Sequence, residues 1–212
     1  MATEWPTVVV VVLVAVTAGC SGPLMEFSAS PATIPESALA STEYHHQNTT
    51  EVPLSYPVGM GGLAQPVTVQ TWLSAYSPVE NDRASAVLVV VSSPDVVLAG
   101  QSLNPLTELS NRELTRFVLE QMSDAQRLGG ISGPTGLREV GTRTVTVLGS
   151  ETSLVSYVGD APVDGQNVSV TINVLSVTHG SDVIVVLGLH PTSTPHRSIH
   201  AELAQAIEHE SP

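Results

Sequence analysis

Among the side chains able to do chemistry, the seven histidines come first. His196 and His200 stand four apart near the C-terminus, a spacing that turns two imidazoles toward one face of a helix and so toward one metal ion. A zinc site asks for three or four converging ligands, however, and His196-Arg197-Ser198-Ile199-His200 lacks the glutamate of the His-Glu-x-x-His metalloprotease pattern. His45 and His46 are neighbours, which on a strand point to opposite faces. These patterns read as solvated surface histidines, with no metal and no cofactor. The serines offer no Gly-x-Ser-x-Gly elbow. Gly129, Gly130, Gly133 and Gly136 follow a helical segment and no lysine comes after them, so they make no phosphate loop. Carboxylate pairs such as Glu202 with Glu208, or Asp160 with Asp164, belong to an acidic surface, and no Asp-rich loop with alternating ligands offers calcium a site. No catalytic residue is assigned.

Cys20 is different, because its surroundings give it a role. Val8 to Val16 is almost all valine, and even a helix from Thr7 to Gly19 covers only about 20 Å at ~1.5 Å per residue. That is short of the roughly 30 Å of a bilayer core, but it suits the apolar part of an export signal. Thr17-Ala18-Gly19-Cys20 then has the form of a lipobox, small residues for the peptidase and a thiol to carry lipid. As the only cysteine, Cys20 has no partner for an internal disulfide, and lipidation explains both its presence and its solitude. Met1 to Thr7 departs from the usual signal: it has no basic residue and carries Glu4. The expectation is a signal over residues 1–19, a lipidated cysteine with a short tether over 20–30, and one domain over 31–212, held to the outer face of the cell membrane through Cys20.

Charge narrows the setting. The net charge is -13, lysine is absent, and all seven basic residues are arginines. In dilute buffer such an excess of carboxylates destabilises a compact chain by self-repulsion. In molar salt the screening length falls to about 3 Å and the penalty fades. The composition is that of a protein adapted to high salt. Scattered arginines also exclude a nucleic-acid partner, since phosphate neutralisation needs a basic cluster. Two glycosylation sequons begin at Asn48 and Asn167. One loop-to-helix segment gathers polar groups, Gln101, Asn104, Asn111 and Arg112, and is the place to look for a binding site.

The elements that would hold these residues follow from periodicity. Residues 34–40 read as a short helix with Pro35 in its first turn. Gln65 to Ser77 alternates as a strand, and Gly59-Met60-Gly61-Gly62 before it is a hairpin loop. Ala86 to Val91 is a continuous apolar run, expected of a central strand covered on both faces. Ser110 and Glu113 form a capping box for a helix reaching Leu128, with Leu114, Phe117, Val118, Met122 and Ala125 on its buried stripe. Runs at 137–148, 152–158, 167–178 and 183–189 read as strands joined by short turns, hence antiparallel. A last helix is placed at 196–209. The fold expected is α+β: an antiparallel sheet covered by two long amphipathic helices, at about 110–128 and 196–209, in a single domain.

Several segments, in order, are similar to a known family: the lipobox ending at Cys20, Phe27-Ser28-Ala29-Ser30-Pro31-Ala32, Trp72-Leu73, Ser93-Pro94, Gly100-Gln101, Asn104-Pro105, Ser110-Asn111-Arg112-Glu113-Leu114 and Val147-Leu148-Gly149-Ser150-Glu151-Thr152. Together they resemble an uncharacterised family of haloarchaeal lipoproteins with a domain of unknown function. The resemblance implies export, lipidation and life in high salt, and brings no activity and no functional residues. The order of strands and helices is also similar, at the level of fold, to the sandwiches of PsbP and Mog-type proteins. The function expected is a non-catalytic envelope module that binds a partner protein or small ligand near the membrane. The alternative is a surface hydrolase or other enzyme whose residues meet only in three dimensions.

Overall fold

The computed structural model describes residues 25–60, 63–78, 86–98, 101–102, 104–107, 109–123, 134–163, 166–194 and 196–210. Cys20 and residues 1–19, where a signal was expected, lie outside the described residues. The chain is mostly β. Its strands are β1 (Met25–Ser28), β2 (Ala32–Thr33), β3 (Tyr44–Met60), β4 (Leu63–Pro78), β5 (Val87–Pro94), β6 (Val97–Leu98), β7 (Gln101–Ser102), β8 (Thr135–Val147), β9 (Ser150–Val163), β10 (Gln166–His179), β11 (Asp182–Pro191) and β12 (Glu208–His209). Three short helices accompany them, α1 (Glu36–Thr42), α2 (Asn111–Ser123) and α3 (His196–Gln205).

Two antiparallel meanders meet to form one eight-stranded sheet. β3, β4 and β5 make the first, and β8, β9, β10 and β11 the second; β5 and β11 join them, antiparallel, with Val90 opposite Val186. β4 pairs with β3 along its whole length. Its other edge is shared end to end: β1 runs parallel to Val67–Gln70, and β5 antiparallel to Trp72–Tyr76. The β5 run expected to be central is central, and seven of its eight residues are buried.

The sheet is covered on both faces. On one, Leu39 of α1 and Ala201, Leu203 and Ala204 of α3 pack on Leu88, Val90, Val147, Leu154, Leu175, Ile184 and Val186. On the other, Leu114 and Phe117 of α2 pack with Val89, Val155, Ile172, Val185 and Leu187. Alternate residues of β5 and β11 thus feed opposite cores, the period-two signature of strands. The capping box of α2 is formed: Glu113 accepts from the Ser110 backbone N–H at 2.9 Å and from its hydroxyl at 2.6 Å, which lowers the Glu113 carboxyl below its usual value.

The expected α+β sandwich, a sheet covered by two long helices at 110–128 and 196–209, is overturned. Strands dominate and no long helix occurs among the described residues. The C-terminal helix has ten residues because it stops at Gln205; beyond it Ile207 is drawn into the core, and Glu208 and His209 pair with Thr33 and Ala32 as a strand. The described part of the other helix ends at Ser123, and the remainder of its expected span lies outside the described residues. The weak alternation of residues 46–55 belongs to a strand of 17 residues, whose length comes from its partner β4 rather than from its own pattern.

Candidate functional site

The histidines, expected at the surface, are the residues the fold brings together. His190 is the penultimate residue of β11, while His196 and His200 lie one turn apart on α3. The three rings lie 5.3 to 6.1 Å apart, centroid to centroid. His200 is 1% exposed and His190 3%. Helical spacing does place His196 and His200 side by side, as the sequence suggested, but the helix turns them inward onto the sheet rather than out to solvent.

Tyr44, the first residue of β3, stands between them. Its hydroxyl is 2.9 Å from His200 Nε2 and 3.2 Å from His196 Nδ1. On the other side of His200, Nδ1 lies 3.2 Å from the Asn173 side-chain nitrogen, and Asn173 Oδ1 accepts from the Ser156 hydroxyl at 2.7 Å. The donors order themselves along this line. Ser156 donates to Asn173, Asn173 donates to His200 Nδ1, His200 Nε2–H donates to Tyr44, and the Tyr44 hydroxyl donates to His196. The chain of bonds runs from the middle of β9 and β10 to the start of β3 and the half-buried first turn of α3. Burial dominates its electrostatics: it lowers His200 well below the usual imidazole value, lowers His190 and His196, and raises Tyr44. The groups are therefore neutral at neutral pH and act through hydrogen bonds.

His190 is held differently. Its Nδ1–H donates to the Pro191 carbonyl at 2.8 Å, which leaves a lone pair on Nε2; that atom is buried with no hydrogen-bond partner. Neutral imidazoles are what a metal ion requires. Here the Tyr44 hydroxyl occupies the approach to two of them, and among the described residues no group of three His, Cys, Asp or Glu is arranged to hold a metal ion.

A second network closes the opposite end of α3. Asp182, the first residue of β11, is 0% exposed and accepts from His209 Nε2 at 2.9 Å and from the Ser30 backbone N–H at 3.0 Å. Since a carboxylate only accepts, His209 Nε2 carries the proton, and His209 Nδ1 lies 2.9 Å from His179 Nδ1. Asp182 Oδ1 is buried without a partner. The C-terminal segment is thus tied across one face of the sheet at both ends, by His196 and His200 at the start of α3 and by His209 beyond its end.

In the polar segment read from sequence, Asn104 and Arg112 make separate contacts, and the side chain of Gln101 lies outside the described residues. Asn104 is buried and serves its own loop: its side-chain nitrogen donates to the Pro94 carbonyl at 2.9 Å, and its oxygen accepts from the Leu106 backbone N–H at 2.9 Å. Arg112 is exposed and donates to the Leu137 carbonyl at 2.6 Å. Gln101 pairs in β7 with Leu98, and the carbonyl of Asn111 accepts from the Thr115 hydroxyl at 2.7 Å. Of the sequons, Asn48 is exposed on β3 beside a register shift, and Asn167 is exposed on β10 opposite Pro162.

Sequence reasoning passed over Tyr44, Ser156, Asn173, His179, Asp182, His190 and His209. One signal was available for two of them. Asp182 and His190 bracket the apolar run Val183–Leu189, and a polar residue bordering a fully buried strand must find a partner inside. No curated protein matches the chain. A family model does, over residues 31–209, which takes in every tie just described except the Ser30 contact. The chain belongs to that family, a domain of unknown function designated DUF6517.

Proposed function

We propose that this protein is a lipid-anchored module on the outer face of the cell membrane, adapted to high salt, that binds an envelope partner rather than catalysing a reaction. The observation that carries the reading is the distance from thiol to fold. Only Ser21-Gly22-Pro23-Leu24 separate Cys20 from β1. Fully extended, that stretch reaches about 18 Å at ~3.6 Å per residue, so lipid on Cys20 would hold the sheet against the bilayer with little freedom. The family's unknown function and the haloarchaeal resemblance agree with it but add no activity. The histidine networks favour binding over catalysis for a chemical reason. Most of their nitrogens are spent joining elements of the fold, and His200, the most central, is out of reach of a substrate. The second reading, a surface enzyme, draws on the unpartnered Nε2 of His190, a base without an assigned proton donor.

Intact mass of the protein isolated from native membranes tests the anchor. A chain beginning at Cys20 and carrying lipid mass is expected. An unmodified chain, or one that keeps residues 1–19, contradicts it.

A further inference from the structure

The fold treats the two sequons differently. Asn48-Thr49-Thr50 stands on β3 directly after its register shift. Pairing with β4 runs up to His46 opposite Tyr76 and resumes with Asn48 opposite Ala75, so Gln47 is the extra residue of a β-bulge. A bulge breaks the ladder locally and re-aims the side chains beside it. His46, Gln47 and Asn48 are all exposed. Asn48 and Thr50, two apart on a strand, share a face, and the Asn48 side-chain nitrogen donates to the Thr50 hydroxyl at 3.3 Å. Thr49 turns the other way: its hydroxyl lies 3.0 Å from Ser74 and 2.8 Å from His46 Nε2. The middle residue thus holds the segment to the sheet while the amide is presented to solvent with its sequon hydroxyl beside it.

Asn167-Val168-Ser169 matches the pattern equally well in sequence. Asn167 is also exposed, but it pairs with Pro162 in an unbroken register. The Ser169 hydroxyl is directed to the Thr192 hydroxyl, 3.4 Å away, and the Ser169 carbonyl accepts from the Thr192 backbone N–H at 2.9 Å. Here the hydroxyl that the pattern requires is engaged with a distant residue instead of the asparagine.

We propose that Asn48 carries an N-linked glycan and is the better-presented of the two sequons. This rests on the outer-face part of the reading above, since an exported chain is what meets the modification. The co-reactant is a glycosyl donor, a sugar chain joined through its anomeric carbon to a lipid phosphate, used by a transferase of the host membrane. Asn48 Nδ2 bonds to the anomeric carbon. The bond from that carbon to the phosphate oxygen breaks, its electron pair leaves with the lipid phosphate, and one amide proton passes to a base of the transferase. The product is a bulky, solubilising group on an exposed strand position, where it displaces nothing from the core.

The test is a glutamate-specific digest of the protein isolated from native membranes, read by mass. Glu43 and Glu51 release Tyr44–Glu51, which contains only the first sequon, while the second lies in the fragment 152–202. Sugar mass is expected on Tyr44–Glu51 at severalfold higher occupancy than on 152–202. It should vanish in Asn48→Gln and in Thr50→Ala, and persist in Thr50→Ser, which keeps a hydroxyl. A bare Tyr44–Glu51 fragment overturns the proposal, as does equal or higher occupancy of 152–202, or added mass that survives Asn48→Gln. The fragment 20–26 of the same digest reports on the anchor separately. Lipid there beside a bare Tyr44–Glu51 sinks the glycan alone, whereas a bare fragment in a chain that keeps residues 1–19 sinks the outer-face reading with it.

Discussion

The His200 imidazole occupies the space in which a β-carbon on Gly188 would have to sit. Gly188 lies three residues before the end of apolar β11, and its missing side chain is what lets α3 lay His200 on the sheet between Asn173 and Tyr44. A methyl group there drives the ring away and breaks both of its hydrogen bonds. Gly188→Ala is therefore expected to cost roughly 1–3 kcal/mol, the usual range for an overpacked core. The midpoint of denaturant unfolding measures it; an unchanged midpoint contradicts the close approach.

The same ring makes the fold sensitive to acid. Burial, assisted by His190 and His196, holds His200 well below the usual imidazole value in the folded chain. The unfolded chain titrates near 6.5. Above about pH 6.5 neither state is protonated and the stabilisation is complete. As pH falls through 6.5 toward the lower folded value, the unfolded chain takes up a proton that the folded chain refuses, and stability is lost. For a fully buried ring the loss approaches roughly 1 kcal/mol per pH unit. Unfolding midpoints between about pH 8 and pH 5, above the ordinary carboxylate range, should fall steeply for the parent and less for His200→Gln. Parallel curves would show that His200 is not the group responsible.

Asp182 ties two distant parts of the chain at once, Ser30 before β2 and His209 after α3. Asp182→Ala leaves both donors without their acceptor in a buried place, at a cost of about 1–3 kcal/mol. Backbone hydrogen exchange at Ile207, Glu208 and His209 should quicken in that variant more than in the strands β9 and β10. Uniform quickening would mean that the C-terminal strap does not open separately.

Metal ions are expected to change nothing. The Tyr44 hydroxyl already fills the approach to His196 and His200. Neither a strong chelator nor added zinc should move the melting temperature, in contrast to a folded metal site, where occupancy is stability. A zinc-dependent rise that disappears in Tyr44→Phe or His190→Gln would contradict this.

What was legible in sequence follows a physical divide. Local signals were readable: the α2 capping box, the buried run of β5 and the four-strand meander, each set by neighbours in the chain; of the loop read at Gly59-Met60-Gly61-Gly62, Gly59 and Met60 are paired in β3 and the other two lie outside the described residues. Signals that depend on distant partners were not. Nothing near His209 says that Thr33 and Ala32 will pair beside it and end the helix early. His196 and His200 have helical spacing, but the composition around them fits a solvated face as well as a buried one. The decision lies with Gly188 and Tyr44, 12 and 156 residues away from His200, which supply the space and the hydroxyl. The polar segment around Asn104 shows the same ambiguity from the other side, since a loop rich in donors also has its own backbone to satisfy.

Fractionation of cells expressing the parent or Cys20→Ser tests the lipid anchor itself. The parent should remain with membranes after washing in high salt and be released only by detergent, while the Cys20→Ser chain appears in the medium or accumulates as uncleaved precursor. If the two proteins partition alike, lipid on Cys20 does not hold this domain at the membrane, and the account built on that tether is wrong.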